Sequence, residues 1–367
     1  MRMNDEFYMK RSLRLALKAR GETSPNPMVG AILVKDGVII SEDYHRRPGS
    51  PHAEALVIEK AGEDAQGSAL YVNLEPCCHI EKRTPPCTRA IIDAGIKKVI
   101  IGMFDPNPKV SGKGAMELEG AGIQVKSGIL EKESRRLNEF YIKKITTGRP
   151  FVILKIAMTL DGKIATPDGQ SKWITGEKSR KMVHRMRSYV DAILTAIGTV
   201  KADDPQMTTR IRRGKNPLRI VIDPHLEIAV DARILQGSPQ TIIVTKETEK
   251  EEQKRKFIEK KKTMQNKGIQ IIEYKGQKAN LVWLMEHLGR QGITSILIEA
   301  GSSLNAYALS EGIVDKVKFF IAPRIMGGSK SFPAIGGELY RRLEEIYRVR
   351  DIKIRRIGED LLVEGYV

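Results

Sequence analysis

The sequence predicts an α/β protein with two domains, and two observations carry this prediction. The chain has 367 residues, which corresponds to two domains at roughly 150 residues each. Short apolar runs such as VGAILV and ALYVNL alternate with longer amphipathic segments along the chain. Because helices that connect such strands act as crossovers, we expect mostly parallel sheets with helices on both faces.

The first domain is predicted from residue 1 to residue 147. The segment TTGRP (146–150) marks its end, since it supplies a glycine and a helix-ending proline. The turn Lys35-Asp36-Gly37 separates the first two strands, and Gly95 is placed to end a helix. We expect strands at 29–34, 38–40, 69–74, 97–102 and 124–126. We expect helices at 52–61, 88–94, 112–122 and 131–145, after one helix near the start of the chain.

The second domain is predicted over residues 148–367. Its expected strands are 151–158, 192–197, 218–223, 241–245, 269–274, 295–300 and 317–323. No G-x-G-x-x-G follows any of these strands, so the Rossmann fingerprint for a dinucleotide is missing. The turn Gly301-Ser302-Ser303 opens a helix, which fits either a phosphate-binding helix start or an ordinary helix cap.

Composition excludes several classes of protein. Hydrophobic residues make up 41% and charged residues 29%, which is typical of a folded chain. No apolar run approaches the ~18 residues that span a bilayer, and the charged first twenty residues do not resemble a signal peptide. The three cysteines all lie between positions 77 and 87, too few for a disulfide framework. We expect a reduced, cytoplasmic protein with no membrane partner.

The net charge of +17 raises the question of a nucleic-acid partner. Most of the excess lies after residue 150, and part of it falls in the polar stretch Lys246–Lys262, which is typical of a solvated helix face with charges of both signs. A nucleic-acid footprint would be expected beside the chemistry, which the motifs place in the first domain. We therefore expect a small-molecule substrate and no nucleic acid.

A zinc site is the clearest chemical signal in the chain. His52 and Glu54 lie at the start of a predicted helix, Cys77 follows the strand ALYVNL, and Cys87 opens the next helix. A catalytic zinc takes three protein ligands and leaves the fourth position to water. One imidazole and two thiolates balance the charge of Zn²⁺, and Glu54 can move protons without ligating the metal. The H-x-E and P-C pattern is typical of zinc deaminases.

Further motifs connect the chain with one family. PNPMVG (25–30), His45, HAE, NLEPCCH, TPPC and DPNP (105–108) resemble the deaminase half of the bifunctional diaminohydroxyphosphoribosylaminopyrimidine deaminase/5-amino-6-(5-phosphoribosylamino)uracil reductase family of riboflavin biosynthesis. LKIAMTLDGKIA (154–165), SKWITG (171–176), AIGTVKADDP (196–205), IEAGSSL and APRIMGG resemble its reductase half, in the same order. The similarity covers nearly the whole chain and is weakest over residues 225–290.

The resemblance implies a fold and two reactions. The fold is a cytidine-deaminase-like zinc domain with three α/β/α layers, followed by a dihydrofolate-reductase-like α/β domain. The first reaction is zinc-dependent hydrolytic deamination of 2,5-diamino-6-(5-phosphoribosylamino)pyrimidin-4(3H)-one. The second is NADPH-dependent reduction of the ribosyl chain of 5-amino-6-(5-phosphoribosylamino)uracil to ribityl. The resemblance also implies one Zn²⁺ per chain and a homo-oligomer formed through the reductase domain.

In the deaminase half, the resemblance assigns the zinc ligands to His52, Cys77 and Cys87 and the proton shuttle to Glu54. The residues that it assigns to substrate binding are Asn26, His45, Asp105, Asn107 and either Lys82 or Arg83. Two segments depart from the family pattern: the loop between Cys77 and Cys87 is one residue longer, and 41–43 replaces a glycine-rich stretch. Cys78 is left over by this ligand set, and we expect it to be a structural neighbour.

In the reductase half, the resemblance implies two groups of contacts. NADPH is expected to bind Ala157, Trp173, Thr199, Asp203, Gly301, Ser302 and Ser303. The phosphoribosyl substrate is expected to bind Lys155, Ser171, Arg187, Met207, Arg210 and Glu299. The guanidinium fork of an arginine matches the geometry of a phosphate, which suits Arg187 and Arg210 to that ligand.

Two other functions remain open on the sequence alone. A nucleic-acid zinc deaminase, such as a tRNA adenosine deaminase with an accessory basic domain, would share HAE, although such enzymes pair their cysteines as P-C-x-x-C. A structural zinc on a basic scaffold would need a fourth protein ligand, which His79 or Cys78 could supply.

Overall fold

The computed structural model describes residues 4–78, 85–212, 214–238, 240–247, 251–337 and 342–367. The chain forms two compact units, Met1–Gly148 and Arg149–Val367, and their division falls inside the segment TTGRP. Among the described residues, no helix is both long and apolar enough to cross a membrane.

The first unit contains a five-stranded sheet and the helices that cover it. Its strands are β1 (Gly30–Lys35), β2 (Val38–Tyr44), β3 (Ala69–Leu74), β4 (Lys98–Met103) and β5 (Gln124–Ser127). Its helices are α1 (Asp5–Ala16), α2 (Ala53–Ala61), α3 (Cys87–Asp93), α4 (Lys113–Gly120), α5 (Glu131–Leu137) and α6 (Glu139–Thr147). The strand order is β2-β1-β3-β4-β5.

The helices cover both faces of this sheet, because its buried strands present apolar side chains to either side. Leu33 and Val72 pack with Val57 of α2 on one face. Ile32 and Ile100 belong to a second apolar cluster, which includes residues of α1, on the other face. The sheet is less parallel than predicted, since β1 pairs antiparallel with both β2 and β3. The remaining pairs, β3 with β4 and β4 with β5, are parallel.

The prediction of one long helix over 131–145 is wrong, because the helix is interrupted at Asn138. Asn138 has φ −102° and ψ 21°, and it separates α5 from α6. Its side-chain Oδ1 accepts a hydrogen bond from Met28 N (2.8 Å), and its Nδ2 donates to Met28 O (3.1 Å). These two bonds hold the PNPMVG segment against the helix pair.

The second unit contains a nine-stranded sheet. Its strands are β6 (Phe151–Thr159), β7 (Lys163–Ala165), β8 (Ala192–Ala196), β9 (Leu218–Ile222), β10 (Thr241–Lys246), β11 (Gln270–Tyr274), β12 (Ser295–Ile298), β13 (Lys316–Ala322), β14 (Phe332–Pro333), β15 (Arg350–Ile357) and β16 (Asp360–Tyr366), of which β7 and β14 form a separate pair. Its helices are α7 (Glu177–Tyr189), α8 (Ile197–Asp203), α9 (Glu251–Asn266), α10 (Leu281–Arg290) and α11 (Ser302–Ser310).

The strand order of this sheet is β11-β10-β9-β8-β12-β6-β13-β16-β15. All neighbours from β11 to β13 run parallel, as the strands alternating with helices predict. The antiparallel hairpin β15–β16 was absent from the sequence-based strand list. Charged residues interrupt β15 (RDIKIRRI), and most of this edge strand is exposed, so it lacks the apolar run of a buried strand.

Candidate active sites

The predicted zinc ligands lie together in the first unit. His52 occupies the N-cap position of α2, and Cys87 is the first residue of α3. His52 Nδ1 lies 3.2 Å from Cys87 Sγ and 3.5 Å from Cys77 Sγ. A tetrahedral zinc with bonds of about 2.0 Å to nitrogen and 2.3 Å to sulfur separates such atoms by about 3.5 Å. The donor set and its spacing therefore fit one Zn²⁺.

Glu54 lies beside this cluster, in the first turn of α2. The side chain is buried, and its Oε2 has no hydrogen-bond partner in the structure. Burial raises the pKa of the Glu54 carboxyl, and the neighbouring His52 opposes this shift. A buried, unpaired carboxyl oxygen next to a metal site is suited to receive and return a proton.

His45 and Asn26 form the wall next to His52. The rings of His45 and His52 lie 5.4 Å apart in an edge-to-face arrangement. His45 Nδ1 lies 3.1 Å from Pro51 O, and its Nε2 lies 3.2 Å from Asn26 Nδ2. These contacts assign the proton to Nδ1, with Nε2 accepting from the amide. Burial lowers the pKa of His45, which keeps the ring neutral at pH 7.

The loop after β4 is organised around two buried carboxylates. Asp105 Oδ1 accepts from the Asn107 backbone N–H (2.9 Å) and from the Tyr141 hydroxyl (2.8 Å). Burial raises the pKa of Asp105, although these bonds oppose it. Glu75, which precedes the cysteine pair, accepts from the backbone N–H groups of Asp105, Gly112 and Ala115 at 2.9–3.2 Å. Glu75 therefore fixes this loop next to Cys77.

Three predictions around the cysteine loop have different outcomes. Lys82 and Arg83 lie outside the described residues, so the phosphate contact expected of one of them stays a prediction. Cys78 Sγ contacts Lys109 O at 3.9 Å, and Cys78 is not part of the His52–Cys77–Cys87 group. Among the described residues this metal group has three members, whereas a structural zinc would require a fourth ligand. His79, the other candidate for a fourth ligand, also lies outside the described residues.

In the second unit, three predicted substrate residues form one buried ion network. Arg187 binds Glu299 with both arms of its fork, Nε to Oε1 at 2.6 Å and Nη2 to Oε2 at 3.0 Å. Lys155 Nζ lies 2.9 Å from Glu299 Oε2. Burial alone would raise the pKa of Glu299, but Arg187 and Lys155 outweigh it and hold the pKa well below its usual value.

The guanidinium fork of Arg187 thus faces a carboxylate, although the sequence analysis assigned it to a phosphate. Its remaining arm, Nη1, donates to Thr208 O at 3.0 Å. Thr208 lies in the loop that contains Met207 and Arg210, both with φ of +52°. Met207 is buried and Arg210 is exposed. Arg210 is therefore the better placed of the two predicted arginines for a phosphate.

Several of the predicted NADPH residues lie at the carboxyl ends of adjacent parallel strands, where ligands bind in open α/β sheets. Ala157 is near the end of β6, Thr199 follows β8, and Gly301 follows β12. A Cβ at Gly301 would lie 3.9 Å from Thr199 Oγ1. Ser302 Oγ at the start of α11 is buried with no partner, and Ser303 beside it is exposed. Small residues and an unsatisfied hydroxyl at a helix start fit a phosphate-bearing cofactor.

Ser171, Trp173 and Asp203 form a second group. Ser171 Oγ donates to Asp203 Oδ1 at 3.1 Å, so a residue assigned to substrate and one assigned to NADPH are in contact. Trp173 is 60% exposed, which argues against a core residue. The Arg180 guanidinium lies 4.6 Å from its ring centroid, and Arg324 donates to its carbonyl at 3.0 Å.

Sequence reasoning missed most of the residues that hold these sites in place. Glu75 belongs to the NLEPCCH motif, but no function was predicted for it. None was predicted for Tyr141, Asn138, Arg180 or Arg324 either. Their contacts join segments far apart in the chain, such as Arg324 with Trp173, which are 151 residues apart. The interruption at Asn138 has one local signal, since asparagine favours turns over helix interiors.

Comparison with known proteins matches both units of the chain. Residues 2–103 match the cytidine and deoxycytidylate deaminase zinc-binding region, and residues 150–363 match the RibD C-terminal domain. The chain is 44% identical to riboflavin biosynthesis protein RibD of Aquifex aeolicus (98% of this chain, 97% of that protein). It is 39% identical to RibD of Escherichia coli (98% of each chain).

Solved structures agree over the same length. A Thermotoga maritima structure, titled a diaminohydroxyphosphoribosylaminopyrimidine deaminase/5-amino-6-(5-phosphoribosylamino)uracil reductase, matches with a TM-score of 0.86 and 37% identity (99% of this chain, 98% of that chain). Acinetobacter baumannii RibD matches with a TM-score of 0.85 and 34% identity (99% and 98%). The first unit is therefore a cytidine-deaminase-like zinc domain, and the second is a reductase domain of the NADPH-binding type. Since nearly the whole length and both domains are matched, the chain belongs to the bifunctional RibD family of riboflavin biosynthesis, in which a deaminase and a reductase share one polypeptide.

Proposed function

We propose that this protein deaminates 2,5-diamino-6-(5-phosphoribosylamino)pyrimidin-4(3H)-one and then reduces the ribosyl chain of 5-amino-6-(5-phosphoribosylamino)uracil to ribityl. The observation that carries the first step is the His52–Cys77–Cys87 group, whose two cysteines are buried, with the unpaired Glu54 oxygen beside it. The name of the Thermotoga maritima relative, a deaminase and reductase of these two compounds, supports both substrates.

In the deaminase domain, His52, Cys77 and Cys87 would hold zinc, which polarises a water molecule and lowers its pKa towards neutrality. Glu54 would take a proton from the attacking water at its unpaired Oε2 and return it to the departing amine. Neutral His45 and Asn26 offer a fixed hydrogen-bonding wall to the pyrimidine. Asp105 and Asn107 would bind the same substrate from the loop after β4, which Glu75 holds in place.

In the reductase domain, NADPH supplies the hydride, and the protein positions the cofactor and the sugar. The residues proposed to bind NADPH are Ala157, Trp173, Thr199, Asp203, Gly301, Ser302 and Ser303. Those proposed to bind the substrate are Lys155, Ser171, Arg187, Met207, Arg210 and Glu299. Ionised Glu299 holds the Lys155 ammonium and the Arg187 guanidinium in one place, so that their orientation is fixed before the substrate arrives.

The test follows both reactions in one vessel. Zinc-loaded protein receives the diaminopyrimidinone substrate and NADPH, and we expect ammonia release followed by NADPH oxidation with a lag. A Cys87→Ser variant should lose zinc and ammonia release, yet still oxidise NADPH when it is given the deaminated uracil substrate. Ammonia release without NADPH oxidation would refute the proposed reductase activity. If zinc-loaded protein releases no ammonia, the proposed deaminase substrate is wrong.

We also propose that the protein acts in the cytoplasm, without nucleic acid, as a homo-oligomer through the reductase domain. The need for two free thiolates at the zinc site supports a reducing compartment. Edge strand β15 exposes Ile354, and the neighbouring β16 exposes Leu361 on the same face, which supports self-association there. An Ile354→Lys variant should dissociate in sedimentation analysis, whereas Met116→Lys, at an exposed position of the deaminase domain, should not. Equal behaviour of the two variants would contradict this interface.

A further inference from the structure

Helix α7 begins without a capping side chain of its own. Its N-cap residue is Gly176, which has no side chain to accept from the first N–H groups of the helix. Asp360, the first residue of β16, contacts this helix start from a distant part of the chain, through the backbone of Gly176 and the side chain of Ser179, and we call this contact the Asp360 cap. Asp360 Oδ2 accepts from Gly176 N (2.8 Å) and from Ser179 Oγ (2.5 Å). A carboxylate at a helix start also interacts favourably with the helix dipole.

This cap is built into the fold. Asp360 is 2% exposed and Ser179 is fully buried, so water does not compete for their hydrogen bond. A Cβ at Gly176 would come within 3.5 Å of Asp360 Oδ2, so the carboxylate packs directly against the N-cap position. The hairpin β15–β16 is therefore fixed to the first turn of α7.

Helix α7 contacts one predicted binding residue and contains another: its Arg180 lies over Trp173, and its Arg187 binds Glu299. Arg180, in its first turns, donates to Thr175 O at 2.7 Å and lies over the Trp173 ring. One end of α7 thus shapes the segment SKWITG. Further along, Arg187 of the same helix binds Glu299 with both arms of its fork. A shift of the helix start would move the cofactor contact and the ion network together.

We propose that Asp360 is a positioning residue of the reductase site, acting through α7 on Trp173 and on the Arg187–Glu299 pair. The inference rests on the proposed function, in which Trp173 binds NADPH and Glu299 lies at the substrate site. Asp360 itself touches neither ligand in this assignment. Asp360 instead fixes the position of α7, whose Arg187 is proposed to bind the substrate and whose Arg180 contacts Trp173.

The experiment replaces Asp360 by alanine in the full-length, zinc-loaded protein. We expect the dissociation constant of NADPH, measured by calorimetric titration, to rise about tenfold, and reductase kcat/KM to fall by at least as much, since small misplacements of reacting groups cost up to about 100-fold. Ammonia release by the deaminase domain should stay unchanged. The conservative variant Asp360→Asn, which retains one acceptor oxygen, should restore most of the NADPH affinity.

Trp173 gives a spectroscopic signature that a purely structural cap would not move. The chain has two tryptophans, so a Trp283→Phe background leaves Trp173 as the single emitter. In that background, Asp360→Ala should shift the Trp173 emission to the red, because the ring is no longer held beneath Arg180. Unchanged emission and unchanged NADPH affinity in a folded variant would overturn the proposal.

A matched control removes another helix cap in the same domain. Asn280 caps α10 through Oδ1, which accepts from Trp283 N at 2.8 Å. Asn280→Ala should lower the melting temperature but leave NADPH affinity unchanged. If Asn280→Ala lowers the melting temperature as much as Asp360→Ala does and also loses as much NADPH affinity, the proposal is overturned. If Asp360→Ala fails to fold, Ser179→Ala removes only one of the two bonds and should give a smaller loss in the same direction. Trp173→Ala tests the proposed function separately, because unaltered NADPH binding there refutes the Trp173 assignment without involving Asp360.

Discussion

Two buried glutamates show how differently the two domains use the same side chain. Glu54 of the deaminase domain and Glu299 of the reductase domain are both almost inaccessible to solvent. Glu54 has an oxygen without a partner, and burial raises its pKa. Glu299 has both oxygens paired with Arg187 or Lys155, and its pKa is lowered despite equal burial. The charged neighbours of a buried glutamate, and not its degree of burial, therefore decide whether its carboxyl can exchange a proton or stays ionised.

The comparison separates two ways of building a site. A deaminase needs a group that changes its protonation state, so it keeps a carboxyl oxygen unsatisfied at a cost in stability. A reductase that relies on NADPH for the hydride needs fixed charges that orient two ligands, so its carboxylate is saturated. The following variants test whether this contrast holds.

The largest effect is expected from Glu54→Gln, which keeps the shape of the side chain and removes its proton transfer. Ammonia release should fall by about 100-fold to 10,000-fold, the range for loss of a general acid–base group. Zinc content, measured by atomic absorption, should not change, and neither should NADPH oxidation with the uracil substrate. Retained deaminase activity would show that Glu54 transfers no proton. The proposed functional difference between Glu54 and Glu299 would then be wrong.

For Glu299→Gln the main expected effect is on stability. The variant leaves Arg187 and Lys155 buried without a counter-charge, and breaking a buried ion pair in this way costs about 3 to 5 kcal/mol. Both tryptophans lie in the reductase domain, so their fluorescence in urea reports the unfolding of that domain alone. Reductase kcat/KM should also fall while ammonia release is preserved. A stability equal to that of the unchanged protein would mean that the network contributes no net energy.

The pH dependence of the reductase domain sharpens the same point. The folded-state pKa of Glu299 lies below the unfolded-state value of 4.5, so its contribution to stability is complete above about pH 4.5. That contribution is lost as the pH falls from there towards the lower folded-state pKa. The melting temperatures of the unchanged protein and of Glu299→Gln should therefore converge as the pH is lowered below 4.5. A constant difference between them at all pH values would contradict the assigned direction of the shift.

The smallest effect is expected from Asn138→Ala in the deaminase domain. Asn138 makes two part-buried bonds to the Met28 backbone. Its removal takes the acceptor from Met28 N, whereas Met28 O keeps the bond from Asn73 Nδ2 (3.0 Å), so we expect a cost of about 1 to 2 kcal/mol. We expect a lower melting temperature of this domain by calorimetry and a higher KM for the deaminase substrate, because Met28 is close to Asn26. Thr146→Ala, which removes an exposed hydroxyl bond within α6, serves as the control and should change stability by less than about 0.5 kcal/mol.

How much could be predicted from the sequence also differs between the domains. The zinc group was predictable because the metal demands particular residue types, which lie on short segments around recognisable strands and helices. The sequence did not predict that Lys155, Arg187 and Glu299 form one network, because an arginine suits a phosphate as well as a carboxylate. Only the fold brings Arg187 and Glu299, 112 residues apart, into one bidentate pair.

The same reasoning applies to the fold. Continuous apolar runs predicted the strands of the parallel sheet, since burial on both faces leaves no room for polar residues. The hairpin β15–β16 gave no such signal, because β15 is an exposed edge with alternating charges. The break at Asn138 has only the weak local signal of an asparagine, because the bonds that accompany it are made with Met28, which is 110 residues away.

The position of β16 in the second sheet affects the order in which the protein is made. The strands of the deaminase sheet all lie between Gly30 and Ser127, whereas β16 must insert between β13 and β15 to complete a sheet whose β6 begins at Phe151. At about 5 to 20 residues per second, ribosomes need roughly 10 to 40 s to reach β16 after making β6. During that interval the second sheet is incomplete, although the deaminase domain has already been synthesised. Once β13 has been made, its edge waits roughly 2 to 8 s for β16. The nascent chain can therefore acquire its zinc centre well before the reductase sheet closes.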